Sequence, residues 1–269
     1  MKIGIVGCGL IGQRRAQMAQ QAGDEVLLVA DIHQEAVAKT AESLQTAGTL
    51  DWREVTGHSQ IEAVVVATYN KSLLPVTVEA LGQGKHVLCE KPLGRNAREA
   101  SAMVDAALKA KRVLKVGFNH RHHPALWQAQ EIARSGRIGP LTNIRAAYGH
   151  GGRPGYDQEW RGDADLAGGG ELLDQGVHIV DLCRWFLGDF VQASGMLGTW
   201  FWQIAPLEDN GFALLRTAAG QIATIHTSWT QWKNLFRMEI FGRDGYLLVN
   251  GLGGSYGPER LTLGLSRCA

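Results

Sequence analysis

The N-terminal stretch KIGIVGCGLIG constrains the fold more than any other part of the chain. Lys2–Val6 reads as a short buried strand, with Ile3, Ile5 and Val6 separated only by small residues. Gly7, Gly9 and Gly12 follow as G-x-G-x-x-G, and a helical pattern then runs to about Ala22. A strand that turns through glycines into a helix presents free N–H groups and a positive dipole end, which suits a pyrophosphate. Gly7 permits the tight turn, Gly9 lets backbone approach the phosphates, and Gly12 lets helix and strand pack closely. These glycines, with Leu10 and Ile11 between them, are candidate cofactor contacts. A second strand, Glu25–Ala30, ends in Asp31. A carboxylate there accepts hydrogen bonds from the adenosine ribose hydroxyls and repels a 2′-phosphate. No arginine stands beside it, so the pattern predicts NAD rather than NADP. The alternative is a glycine turn in another doubly wound fold.

Strand–helix alternation continues. Residues 35–45 look helical, and 61–68 (IEAVVVAT) form a β-branched apolar run, a strand buried on both faces. Residues 72–82 look helical, 86–89 extended, 96–110 helical and 113–118 extended. This order predicts a parallel sheet with helices on both faces, in which ligands bind beyond the carboxyl ends of the strands. Thr68-Tyr69-Asn70, Glu90-Lys91-Pro92 and Asn119-His120-Arg121 all fall at such ends. Thr68, Asn70, Glu90, Lys91 and Asn119 are therefore candidate cofactor contacts.

From Leu141 the pattern changes. Residues 142–148 read as a strand, and a glycine-rich stretch at 149–155, with Arg153 and Tyr156, reads as a mobile loop near substrate. Residues 190–201, 211–217, 221–230, 235–242 and 246–250 are strand-like and joined by short turns, which predicts an antiparallel sheet. Trp200, Phe201, Trp202, Trp229 and Trp232 belong to it; core or subunit packing is the expected use, sugar stacking the alternative. The expected division is residues 1–120 for dinucleotide binding and 121–269 for substrate binding and assembly as a dimer or tetramer through the sheet.

Between loop and sheet lies GGGELLDQGVHIVDL, residues 168–182. Its apolar residues recur at helical spacing, which places Asp174 and His178 on one face, one turn apart. A carboxylate there can orient an imidazole that moves a proton near neutral pH. Asp181 is a second candidate partner for His178, or a solvated charge. The plain alternative for the whole stretch is a helix with a surface Asp/His pair. Trp160 and Arg161 read as closing over the pocket, with Arg161 binding a substrate carboxylate or phosphate, or else packed on the tryptophan at the surface. Arg121 and Asn119 read as pocket floor. The run His120-Arg121-His122-His123 suggests a metal cluster, but consecutive residues cannot all face one ion, so no metal is expected.

Composition narrows the classes of partner. A net charge of +1 gives no reason to expect nucleic acid or membrane. Cys8, Cys89, Cys183 and Cys268 are scattered without a C-x-x-C pair, which fits a reducing compartment. The chain enters a strand at once and contains no apolar run of membrane-spanning length, so it reads as cytoplasmic. It has no Tyr-x-x-x-Lys, which argues against the short-chain dehydrogenase arrangement.

Through GCGLIG at 7–12, GKHVLCEKPLG at 84–94, VGFNHRHHP at 116–124, WRGD at 160–163 and GGGELLDQGVHIVDL at 168–182, the sequence resembles the Gfo/Idh/MocA family of nicotinamide-dependent oxidoreductases. The family includes inositol, sugar and nucleotide-sugar dehydrogenases. The resemblance implies an α/β protein: a Rossmann domain, then an α/β domain with a large, mostly antiparallel sheet often used for oligomerisation. By motif, Lys91 matches the lysine near nicotinamide and substrate, and Asp174 and His178 match the active-site acid and histidine. Pro92 matches a proline that bends the chain, often through a cis peptide. The family's Thr-Pro-Asn appears as Thr68-Tyr69-Asn70, and Leu73 replaces a family histidine. Family members usually continue past the point where this chain ends, so its C-terminus reads as truncated.

The implied chemistry is NAD-linked hydride transfer at a secondary hydroxyl of a sugar, cyclitol or nucleotide sugar. His178 is the candidate base, Asp174 orients it, and Lys91 hydrogen-bonds the reacting oxygen, with Arg121, Trp160 and Arg161 as further substrate contacts. Two other readings remain: an NAD-dependent glycosidase of the same fold, and a non-catalytic dinucleotide-binding regulator.

Overall fold

The computed structural model describes residues 1–266, which form two compact units. The first is Met1–Gly117 with Asp165–Gly168; the second is Phe118–Ala164 with the chain from Gly169 onward.

The first unit is a six-stranded sheet in the order β3-β2-β1-β4-β5-β6. Its strands are β1 (Lys2–Val6), β2 (Glu25–Ala30), β3 (Ala47–Thr49), β4 (Ala63–Val66), β5 (His86–Cys89) and β6 (Leu114–Val116). Every pairing is parallel. Helices α1 (Leu10–Gln21), α2 (Gln34–Leu44), α3 (Trp52–Gly57), α4 (Asn70–Gly82) and α5 (Ala97–Ala110) connect them. Alternate residues of one strand serve opposite faces. Ile3 and Ile5 pack with Ala16, Val37 and Leu44, whereas Val6, Val64 and Val66 pack with Leu73, Val76 and Met103. Both faces are thus covered, as a parallel sheet requires.

Two elements of this unit carry weak sequence signals. β3 is three residues, Ala-Gly-Thr, with no apolar alternation. α3 is a single short helix whose start is marked by Asp51, the side chain of which accepts from Arg53 N at 2.9 Å. β4 is shorter than the apolar run at 61–68; Ala67 follows it, its N–H donating to Val6 O at 2.8 Å and its carbonyl packed against the glycine turn at Gly7.

The second unit is built on a seven-stranded sheet in the order β13-β12-β11-β7-β10-β9-β8. It contains β7 (Leu141–Gly149), β8 (Phe190–Gly198), β9 (Asn210–Thr217), β10 (Ile222–Ser228), β11 (Leu235–Gly242), β12 (Gly245–Asn250) and β13 (Arg260–Leu265). Only β7 and β10 run parallel; the other pairs are antiparallel. α6 (Pro124–Arg134) and, after the short helix α7 (Ala164–Ala167), α8 (Val177–Leu187) supply Leu126, Ala129, Ile179, Leu182 and Cys183. These pack on Ile144, Ile225, Met238 and Ile240 of the sheet. Two elements extend the sequence expectation: α6, which begins at Pro124 in the first helical turn, a position that suits its fixed φ, and β13, which carries the sheet beyond residue 250.

No helix among the described residues is long and apolar enough to cross a membrane. Cys8, Cys89 and Cys183 are free and buried; Cys268 lies outside the described residues.

Candidate active site

In the first unit the polar clusters gather at the carboxyl edge of the parallel sheet. A Cβ at Gly12 would lie 1.8 Å from the Gly7 carbonyl oxygen, so helix α1 can meet β1 this closely only through glycine. No side chain caps the N-terminus of α1, and Leu10 and Ile11 in its first turn are exposed. Free N–H groups beside two exposed apolar side chains suit a group with phosphates and a flat ring. Asp31 closes this loop: its carboxylate accepts from Cys8 N at 2.7 Å and from His33 N at 3.0 Å. The Cys8 thiol beneath is pushed up to about 11 by burial, which keeps it protonated.

At the end of β5, Glu90 accepts from Arg15 Nε of α1 at 2.6 Å. A Cβ at Gly117 would lie 2.3 Å from Glu90 Oε2, so the end of β6 packs directly on that carboxylate. Lys91 follows and joins Pro92 through a cis peptide. Asn70 is buried at the start of α4, where its Nδ2 donates to Ala167 O at 2.9 Å; its amide ties down the Asp165–Gly168 segment. Leu73, where the family carries histidine, is fully buried in the core. Arg15 was not among the sequence candidates. The signal available for it was its place one turn past Gly12, on a helix that starts at the sheet edge.

In the second unit the helix carrying Asp174 and His178 starts with a π turn, Leu172–Gly176, before α8. Such turns often occur at functional sites. Its start is fixed by Glu208, whose carboxylate accepts from Gly170 N at 3.1 Å and Leu172 N at 3.0 Å. A Cβ at Gly170 would lie 2.0 Å from Glu208 O, which explains a glycine there. Asp174 and His178 are both buried, at 6% and 4% exposure, so the pair is not a surface feature.

Around them the structure assigns partners that spacing could not. Arg161 Nε donates to Asp174 Oδ2 at 3.0 Å, and its guanidinium lies 4.5 Å from the Trp160 ring centroid. Burial works against the charge on Arg161, but Asp174, Tyr156 and Glu159 outweigh it and raise its pKa. Arg121 forms a bidentate pair with Asp181, at 2.7 and 2.6 Å, and lies 5.6 Å from the Trp185 ring centroid. Asp181 is therefore the partner of Arg121. Phe118 and Tyr148 meet the His178 ring edge-on, with centroids 6.0 and 6.5 Å away.

The loop after β7 completes the cluster. Tyr156 is buried and packs against His150, Trp202 and Trp229, with centroids at 5.4, 5.6 and 5.2 Å. His150 accepts from Gly152 N through Nδ1 at 2.9 Å. Burial lowers its pKa below the ordinary value; Asp174 works the other way, and Arg161 and Arg153 add to the lowering. Of the five aromatics assigned to the sheet, Trp229 is core at 1% exposure, whereas Trp200, Phe201 and Trp232 are exposed at 68%, 53% and 62%. Among the described residues no group of three or more histidine, cysteine, aspartate or glutamate side chains is placed to hold a metal ion.

A parallel sheet with a glycine turn, an acid after β2 and a lysine after β5, joined in one chain to a helix-covered mixed sheet bearing a buried Asp/His pair, defines a dinucleotide-dependent oxidoreductase fold. Comparison with known proteins agrees. Residues 1–118 match the NAD-binding Rossmann-fold domain of an oxidoreductase family, and residues 126–248 match the GFO/IDH/MocA C-terminal domain. The chain belongs to the Gfo/Idh/MocA family, and its first unit is the family's NAD-binding domain. A levoglucosan dehydrogenase of Pseudarthrobacter phenanthrenivorans is 34% identical over 174 residues, which are 64% of this chain and 44% of the relative. The chain thus spans less than half the length of that protein in the match. A 1,5-anhydro-D-fructose reductase of Ensifer adhaerens is 30% identical over 91% of this chain and 74% of its own length. Among solved structures, a levoglucosan dehydrogenase in complex with NADH and levoglucosan superposes with a TM-score of 0.88 at 25% identity, covering 99% of this chain and 79% of the other.

Proposed function

We propose that this chain catalyses NAD-linked interconversion of a secondary hydroxyl and a ketone on a sugar, cyclitol or nucleotide sugar. One observation carries the reading: His178, the histidine implied as base, is buried on α8 with buried Asp174 one turn before it, in a chain of an oxidoreductase family whose named relatives act on such compounds. When bound, NAD supplies the hydride acceptor. The free N–H groups of α1 bind its phosphates, and Asp31 accepts from its ribose hydroxyls. His178 takes the hydroxyl proton as the carbon–hydrogen bond breaks. Asp174, paired with Arg161, supports the positive charge that develops on the imidazole. Lys91 hydrogen-bonds the reacting oxygen and stabilises its developing negative charge. Arg121 and Arg161 serve as braces for Asp181 and Asp174 rather than as anion-binding groups.

The test is NAD⁺ reduction by levoglucosan, myo-inositol and nucleotide sugars. Lys91→Met and His178→Ala should each lower turnover about a thousandfold, within the range for a proton-transfer group, while calorimetry shows NAD⁺ binding unchanged. Wild-type turnover in both variants would refute the residue assignment. Glycoside cleavage without net NADH would replace dehydrogenation with transient oxidation.

The same reading includes a homo-oligomer formed through the sheet of the second unit. Its support is the face not covered by helices. Cross-strand register puts Met196, Phe212, Leu214 and Ile222 there, at 78%, 38%, 49% and 39% exposure. Exposed apolar side chains grouped on one face mark a contact surface.

A further inference from the structure

The run Asn119-His120-Arg121-His122-His123 has no role in the chemistry above beyond Arg121, yet it makes two separate attachments to α8. We infer that His120 is a positioning residue for His178, holding its ring plane by stacking, and that His123 and Glu259 anchor His120. The catalytic consequence rests on His178 acting as the base; the structural claim does not.

Residues 119–122 form a 3₁₀ turn, in which side chains three apart eclipse one another. His120 and His123 therefore meet, ring centroids 5.5 Å apart. His120, 5% exposed, stacks on His178 with centroids 3.9 Å apart and planes inclined by 21°. Its surroundings are closed by Tyr148 at 5.2 Å and Phe236 at 6.1 Å. At the other end of the row, His123 Nδ1 lies 2.6 Å from Glu259 Oε1, and Glu259 Oε2 accepts from Ala125 N at 3.1 Å. Ala125 is in the first turn of α6, where a carboxylate is also favoured by the helix dipole. The row of rings thus runs from a helix N-terminus to α8. Arg121, between the two histidines, reaches Asp181 one turn beyond His178, so the same turn grips α8 twice.

The need for such support is physical. The outer torsion of a histidine side chain is broad and soft, so an imidazole at a reaction centre readily turns its nitrogens away. A parallel ring against one face penalises that rotation, and proton transfer requires a nitrogen held within hydrogen-bond reach. Stacking needs a flat ring of the right size and not the nitrogens of His120, which separates this role from proton relay.

The experiment is ring-nitrogen NMR on histidine-labelled protein, with kcat and KM measured for NAD⁺ and for levoglucosan and myo-inositol. In His120→Ala the His178 nitrogens should shift towards values averaged over tautomers and ring orientations. kcat should fall about tenfold, as expected for modest misplacement of a reacting group, with both KM values within about twofold. His120→Phe should return the shifts to wild type and kcat to within about threefold. Unchanged His178 shifts in His120→Ala, or a His120→Phe as displaced as the alanine variant, overturns the proposal. Should His120→Ala not fold, Glu259→Gln against His120→Phe decides: displaced His178 shifts only in the first support it, and wild-type shifts in Glu259→Gln overturn it. If His178→Ala retains turnover, the base assignment fails, and the nitrogen shifts still answer whether the stack holds the ring.

Discussion

Asp31 shows how one side chain serves two ends. Its carboxylate is bonded to Cys8 N in the glycine turn, so it shapes the loop as well as carrying the proposed ribose contact. Asp31→Asn keeps an oxygen for Cys8 N–H and removes the charge. A hydrogen bond to a charged group contributes about 1.5–3 kcal/mol, so NAD⁺ affinity should fall about tenfold or more, and the preference over NADP⁺ should narrow; titration calorimetry with both dinucleotides measures this. His150 and His226 belong to the same scale. Burial lowers the pKa of each below 6.5 in the folded chain. The unfolded chain therefore takes up these protons first, and stability falls as pH drops below the unfolded value, levelling off beneath the folded one. Urea midpoints should decline from about pH 7.5 to about pH 5.5, and His150→Gln should flatten that slope.

At the scale of elements, carboxylates buried in the second unit take the place of missing regular structure. The segment from Thr199 to Leu207 joins β8 to β9 without a helix or strand of its own. Asp209, fully buried, holds it by accepting from Trp200 N at 3.1 Å, Phe201 N at 2.8 Å and Trp202 N at 3.1 Å. Burial opposes the charge on Asp209, but these N–H groups and the Asn210 amide outweigh it and hold its pKa below the usual carboxylate range. Asp209→Ala leaves three N–H groups without their acceptor and should cost about 3 kcal/mol, read in urea denaturation. It should also make the segment prone to proteolysis and change the tryptophan fluorescence, because Trp202 packs on Tyr156.

At the scale of the whole molecule, the outer face of the second sheet is charged on one side and mixed on the other. On β7 and β11 it carries Arg145, Arg237 and Glu239, joined as ion pairs; on β8 to β10 the apolar Met196, Phe212, Leu214 and Ile222 share it with Gln192, Ser194, Arg216, Thr224 and His226. Met196→Asp with Leu214→Asp should convert an oligomer to protomers in light scattering after size exclusion, with NAD⁺ affinity retained. Much of this organisation was legible without coordinates. Parallel strands buried on both faces read as continuous apolar runs, the glycine turn and Asp31 sit at fixed offsets, and hairpin strands alternate. These are local, periodic constraints, and the chain states them wherever they apply. The short β3 left no readable signal because three residues carry little periodicity; the Pro124 helix and the last strand do carry one, Ala125, Leu126 and Ala129 on one helix face and Leu261, Leu263 and Leu265 at alternate strand positions. Tertiary structure alone decided the pairing of side chains: Arg161 with Asp174, Arg121 with Asp181, His123 with Glu259, and the ring of His120 on that of His178. A charge or an imidazole takes whichever partner the docking of distant elements brings within reach, and that choice has no period to read in the sequence.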